Sequence, residues 1–145
     1  MKISFIKGNL FTAPQQYILA HCISKDAKMG AGIATLFRDK SSGVQYSLSM
    51  NNHNQIGNVI PYHLKDGRKY YNLITKSKYW NKPTFRSLTM ALIDLRKQML
   101  LNNEKFLAIP KIGSGLDRLD WKKVKQIIEL VFLKTSIEIV IYSLD

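Results

Sequence analysis

The sequence contains a single cysteine, Cys22, so no disulfide can form within the chain. Its core must hold without covalent staples. The composition fits a reducing compartment, as it also fits a secreted chain that lacks disulfides. Acidic residues are scarce as well. Ten Asp and Glu stand against 22 Lys and Arg, a net charge of +12 with a pI near 9.9. Long apolar runs are missing: none approaches the roughly 18 to 20 residues that a membrane span needs. The opening stretch MKISFIKGNLF lacks the apolar h-region of a signal peptide. The expectation is therefore an intracellular, soluble protein with no membrane association. His21, His53 and His63 show no metal-ligand spacing, so no metal is expected. There is no repeat, low-complexity tract or linker.

What is present suits one globular domain covering 1–145, expected to be a monomer. Hydrophobic residues make up 46% and charged residues 22%, enough for a packed core under a polar surface. The charge excess attracts phosphates and speeds encounter with polyanions. Charge alone does not separate a nucleic-acid partner from a solvated basic surface, and both stay open.

Strand and helix patterns alternate, which argues an α/β sandwich. Residues 2–7 and the apolar stretch 17–22 read as strands, followed by a glycine-containing loop and a short helix over 33–40. Residues 41–55 are polar and irregular, with some helical character. Stretches 58–62 and 69–74 pair as a hairpin through Asp66-Gly67. Pro83 sits where the first turn of a helix tolerates it. Leu88, Ala91, Leu92, Leu95 and Met99 then give one apolar helical face. A short strand over 106–109 ends at Pro110. Asp120 is the expected N-cap of a helix whose buried face is Trp121, Val124, Ile127, Ile128 and Val131. A β-branched strand over 137–142 closes the pattern.

Three loops follow predicted strands, where ligands of open α/β sheets gather. In the first, Gly30 and Gly32 let backbone N–H groups approach a ligand ahead of the helix at Ile33. In the second, 110–118, a Gly113-Ser114-Gly115 turn can form an anion nest. It lacks the Lys-Ser/Thr ending of a P-loop, which excludes a nucleotide triphosphatase of that type. Together the two loops suggest a pyrophosphate-containing ligand held mostly by backbone. The third carries Lys76, directly after an apolar strand end; on pattern alone it reads as a solvated surface lysine. His21 and Cys22 point to opposite faces of a strand and cannot act together as base and nucleophile. Cys22 reads as a small buried hydrophobe. Tyr79 and Trp80 read as loop anchors in preference to a stacking surface.

Several stretches, taken in order, resemble the macrodomain family, and most closely its terminal ADP-ribose protein glycohydrolase branch. They are Lys7-Gly8-Asn9-Leu10-Phe11, Ala20-His21-Cys22-Ile23-Ser24, Met29-Gly30-Ala31-Gly32-Ile33-Ala34, Leu73-Ile74-Thr75-Lys76, Lys82-Pro83-Thr84 and Ile112-Gly113-Ser114-Gly115-Leu116-Asp117-Arg118-Leu119. The resemblance spans nearly the whole chain. It implies a three-layer α/β/α macrodomain with a mixed central β-sheet and an ADP-ribose cleft at the sheet crest. It implies ligand contacts from Asn9, Leu10, His21, Ile23, Ser24, Met29, Gly30, Gly32, Ile33, Ile112, Gly113, Ser114, Gly115 and Leu116. It also implies catalytic roles for Lys76, attacking C1″ of the distal ribose, and Asp117, moving protons. This reverses the pattern-only reading of Lys76. One departure stands out: relatives carry an acidic residue where this chain has Asn9. An amide oxygen can accept the same adenine hydrogen bond without charge assistance.

The expected activity is removal of mono-ADP-ribose from acidic side chains of modified proteins, with O-acyl-ADP-ribose cleavage as a side activity. The expected partners are ADP-ribose and ADP-ribosylated protein, and no cofactor is expected. A DNA ADP-ribosyl hydrolase is the first alternative, favoured by the charge. A non-catalytic ADP-ribose reader is the second; it would need neither Lys76 nor Asp117. An ADP-ribose 1″-phosphate phosphatase ranks below these.

Overall fold

A computed structural model describes residues 1–114 and 117–144, and over these it contains six strands and four helices. In chain order these are β1 (Lys2–Lys7), β2 (Ile18–Ser24), α1 (Ile33–Asp39), α2 (Val44–Ser49), β3 (Val59–His63), β4 (Lys69–Lys76), α3 (Phe85–Leu101), β5 (Phe106–Pro110), α4 (Trp121–Phe132) and β6 (Glu138–Ser143). A 3-10 turn, Leu10–Thr12, follows β1. The strands form one sheet in the order β1-β6-β5-β2-β4-β3. All neighbours are parallel except β3, which runs antiparallel to β4, so the sheet is mixed as expected.

Two apolar layers cover the sheet. On one face Leu88, Leu92, Leu95 and Met99 of α3 and Val124, Ile128 and Phe132 of α4 pack on Leu107, Ile109 and Ile139. On the other, Phe37 of α1 and Val44 and Leu48 of α2 pack on Leu19, Tyr70 and Ile74. β4 is buried on both faces from Tyr70 to Thr75, which explains why its sequence is mostly apolar with Asn72 as a hydrogen-bonded exception. Deleting a side chain such as Leu92, with no exposed surface, would cost about 2–5 kcal/mol.

The turn chemistry differs in places from the sequence reading. β3 and β4 do form a hairpin. Gly67 has φ +93° and Asp66 is not in the left-handed region, so the connection is not the two-residue mirror-image turn. It closes by Leu64 N–H donating to Arg68 O at 2.9 Å. Pro83 lies one residue before the N-cap of α3 and not in its first turn. The cap is Thr84, reciprocally bonded with Ser87. Asp120 caps α4 as expected, accepting from Lys122 N–H at 3.0 Å.

Candidate active site

β5, β2 and β4 are neighbours at the middle of the sheet, and each ends at the same crest. The chain leaves β2 towards α1 and α2 on one face. It leaves β4 and β5 towards α3 and α4 on the other. Divergence of the connections opens a crevice at the strand ends, the usual ligand position in open α/β sheets. The crevice here has a volume of about 1150 Å³. That is at the roomy end for small-molecule pockets.

Lys76 is the last residue of β4 and Asp117 stands in the loop after β5. Lys76 Nζ donates to Asp117 Oδ1 at 2.8 Å, and the two side chains are 16% and 18% exposed. Both line the crevice. Their position has local causes. Lys25 N–H donates to Lys76 O at 2.8 Å across a bulge between Ile23 and Ser24, which carries β2–β4 pairing to the strand end. Ser87 Oγ, at the start of α3, donates to Thr75 O at 2.7 Å, next to Lys76.

The loop after β2 holds a backbone few residues adopt freely. Ala27 and Met29 have φ of +55° and +49°, and Gly32 combines φ +60° with ψ −149°, a region open to glycine. Its carbonyls are taken from behind: Gln45 Nε2 donates to Ala27 O and Lys28 O, and Arg38 Nη1 to Met29 O. The N–H groups of Met29, Gly30, Ala31 and Gly32 make no hydrogen bond among the described residues. Opposite them, Gly113 has φ +73°, and a side chain there would press on Leu119 and Leu88 at 3.1 Å. Free backbone donors thus line the wall after β2, an arrangement that suits a diphosphate, while on the facing wall Ile112 N–H donates to Pro110 O at 2.7 Å and Ser114 N–H to Lys111 O at 3.4 Å.

Asp26 joins two of the loops. Its Oδ1 accepts from Ser24 Oγ at 2.5 Å, and its Oδ2 from Tyr79 N–H at 3.0 Å. Burial alone would raise its pKa. Hydrogen bonds from Ser24 and from the N–H groups of Tyr79 and Lys28 reverse that, and the carboxyl lies below its ordinary value.

Among the expected ligand contacts, Ile23, Ser24, Met29, Gly30, Gly32, Ile33, Ile112, Gly113 and Ser114 line the crevice with the Lys76–Asp117 pair. Gly115 and Leu116 lie outside the described residues. His21 is corrected. It has no exposed surface, stacks on Phe37 at 3.9 Å, and shares a 2.8 Å hydrogen bond with Asn72 Oδ1. Burial pushes its pKa down to about 4 against the smaller upward pull of Asn72, so it is a neutral core residue away from the crevice. Leu10 is likewise buried in the core layer. Asn9 is exposed beyond β1 and outside the crevice lining, and its Oδ1 accepts from Phe11 N–H at 2.9 Å. The oxygen expected to face adenine is thus a turn cap.

Two further readings change. Cys22 is half-buried and packs against the core layer under α3 and α4 as expected, but it lines the crevice as well. Burial first, and then the nearby Asp117 carboxylate, push its thiol well above the ordinary range, so it stays protonated and unsuited to attack. Tyr79 and Trp80 are 57% and 65% exposed, with rings edge-to-face at 5.0 Å on the crevice rim. They are not loop anchors; the anchor is the Tyr79 backbone on Asp26. Sequence reasoning missed Lys28, Asn81 and Lys82 in the lining, because loop positions carry no periodic signal. Among the described residues no group of three or more His, Cys, Asp or Glu is placed to hold a metal ion. No helix among them is long and apolar enough to cross a membrane.

No protein-family model matches the chain. The chain is 46% identical over 143 residues to the ADP-ribose glycohydrolase OARD1 of Bos taurus, covering 99% of this chain and 92% of that one. It is 28% identical over 134 residues to the DNA ADP-ribosyl glycohydrolase of Thermus aquaticus, covering 88% of this chain but 37% of that protein. Its fold superposes on the macrodomain of Thermus aquaticus DarG with a TM-score of 0.86 at 24% identity, over 97% of each chain.

Proposed function

The chain belongs to the macrodomain family, alongside the OARD1 glycohydrolases, and on that premise we propose that it is an ADP-ribosyl hydrolase acting through Lys76 and Asp117. The observation that carries the reading is the 2.8 Å Lys76–Asp117 pair in a crevice that the free N–H groups of residues 29–32 also line. The named activity of a relative 46% identical over 99% of this chain supports the reaction type. The substrate is ADP-ribose joined through C1″ of its distal ribose to a carboxylate side chain of a protein.

An ammonium is no nucleophile, so the Lys76 amine must first lose a proton. Asp117 Oδ1, already within hydrogen-bond distance, receives it. The freed lone pair attacks C1″, the C1″–O bond breaks, and the protein carboxylate leaves with the bonding electrons. Water then replaces the amine at C1″. Asp117 passes the lysine's proton to the departing carboxylate and then takes one proton from that water, whose oxygen and other proton stay on C1″ as a hydroxyl. Lys76 departs with its lone pair and recovers its proton from Asp117. The N–H groups of the loop after β2 hold the diphosphate, so C1″ arrives at Lys76 already oriented.

The test is release of ADP-ribose from a glutamate-linked mono-ADP-ribosylated protein, with wild type against Lys76→Ala. Release by wild type is expected, with a loss of at least about a thousandfold in the variant. Release by both would remove Lys76 from the chemistry. Release by neither, with ADP-ribose still bound, would leave a reader.

A second reading concerns the modified macromolecule. Trp80 and Tyr79 stand exposed beside Lys28, Lys82, Lys111 and Arg118 on the crevice rim. Aromatic faces among cations suit stacked bases and a phosphate backbone. This favours ADP-ribosylated nucleic acid as a substrate beside protein, the first alternative drawn from the sequence. Salt-dependent binding of an unmodified single-stranded oligonucleotide, weakened by Trp80→Ala, is expected. Binding that is absent or insensitive to salt would remove this reading.

A further inference from the structure

α1 starts at the crevice with Ile33 and ends at the C-cap Lys40, roughly 10 Å further on for seven residues. At that far end lies a second cavity of about 330 Å³, between the turn after β1 and the β3–β4 hairpin loop. Three cations line it: Lys40, Lys65 and Arg68.

Arg68 is the informative residue. It is 7% exposed, yet its guanidinium has no carboxylate partner among the described residues. Nη2 donates to Ala13 O at 2.6 Å, and Nε is buried with no acceptor. A lysine or histidine in this position could shed its proton; a guanidinium cannot. A buried charge facing one neutral carbonyl is unfavourable unless a counter-charge completes it. Two carboxylates also line the cavity, and each is engaged by a group other than the Arg68 guanidinium. Asp39 Oδ1 accepts from Arg38 Nε at 3.0 Å, and Asp66 Oδ1 from the backbone N–H of Arg68 at 3.0 Å. The lysines converge for a structural reason: Lys65 N–H donates to Lys40 O at 2.7 Å. Lys40 Nζ sits over the Phe11 ring, 5.1 Å from its centroid. The Gln15 amide adds a further polar group to the lining.

We propose that this cavity binds a small oxyanion, a phosphate or carboxylate group received by Arg68 with Lys40 and Lys65 at its mouth. The planar fork of the guanidinium matches either group. The site is separate from the crevice, and the proposal does not depend on how the crevice is read.

Residue-resolved NMR titrations test it, with sodium phosphate and sodium acetate as probes at constant ionic strength. Saturating shifts are expected at Ala13, Gly67 and the Arg68 side-chain N–H, on a different curve from Gly32 and Gly113 in the crevice. Saturation by phosphate but not acetate assigns a phosphate ligand; the reverse assigns a carboxylate; saturation by both supports a general oxyanion site. The exposed double variant Lys40→Ala/Lys65→Ala should fold normally and weaken phosphate by roughly tenfold. Shifts that stay linear in both salts, or that are unchanged in the double variant, would overturn the proposal. A lowered Tm of Arg68→Lys with those linear shifts would make Arg68 a tie to Ala13 and nothing more.

Discussion

β4 carries a lysine at each end, and each lysine meets an acid. At the crest Lys76 pairs with Asp117 at 2.8 Å; at the opposite end Lys69 pairs with Glu104 at 2.7 Å. The exposures are close, 16% and 18% against 23% and 13%. Distance and burial therefore do not separate a reactive pair from a structural one. The surroundings do. Glu104 Oε1 also accepts from Tyr71 O–H at 2.5 Å, and Lys69 lies 4.8 Å above the Tyr71 ring. Burial alone would lower the pKa of Lys69, but the bonds to Glu104 and Tyr71 outweigh it and hold the ammonium above its ordinary value. That foot is a closed triad. At the crest, by contrast, the pair faces a wide crevice bordered by Met29, Gly32 and Gly113 at positive φ. On the proposed function, that backbone is retained because a ligand uses the N–H groups of residues 29–32.

The comparison breaks most sharply by neutralising each acid. Asp117→Asn should lower hydrolysis by about 10²–10⁴-fold while the melting temperature barely changes, checked by single-turnover release and thermal melts. Glu104→Gln should do the opposite. Hydrolysis stays at the wild-type rate, and loss of the charge-assisted bonds costs about 1–3 kcal/mol, a drop of roughly 3–10 °C in Tm. If Glu104→Gln impaired hydrolysis at unchanged stability, the division between crest and foot would fail.

Acid dependence sharpens the same division from β2. His21 has a folded pKa lowered from 6.5 to about 4, so the unfolded chain binds a proton that the folded chain refuses. Stability should be complete above pH 6.5 and fall as pH drops towards 4. His21→Phe should flatten that slope in melts recorded across the range. Asp26 acts lower. Its folded pKa is depressed below 3.8, so its contribution is present above that value and is lost as pH falls through the folded pKa. Asp26→Asn should give the smallest effect, a shallower loss of stability below pH 4, with a raised KM as the two loops loosen.

The sequence conveyed these regions unequally. Periodicity marks the buried strands and both long helices well, because apolar spacing records which face is covered. It stops β4 at residue 74, since Thr75 and Lys76 are polar, although the ladder runs on to Lys76. On pattern Lys76 is a surface lysine; only the family motifs place it in chemistry. At His21 the motif and the strand alternation diverge. Its motif suggests ligand contact, but alternation along β2 turns it onto Phe37 while Cys22 turns to the crevice. Tyr79 and Trp80 belong to a loop, where exposure depends on the Asp26 hydrogen bonds and not on any local pattern. Arg68 gives no sequence signal, since its burial arises from the meeting of segments 55 residues apart.

The sheet edge has a consequence in time. β1 lies at the edge of the sheet and pairs with β6, Lys2 opposite Glu138 and Lys7 opposite Ser143. A ribosome adding roughly 5–20 residues per second reaches β6 on the order of ten seconds after β1. Through that interval Ile3, Phe5 and Ile6 wait without their neighbouring strand, the situation in which nascent chains stick to one another. Lys2 and Lys7 flank the waiting segment at either end, and like charges on neighbouring nascent chains repel. Part of the excess basicity thus serves the making of the protein before it serves any ligand.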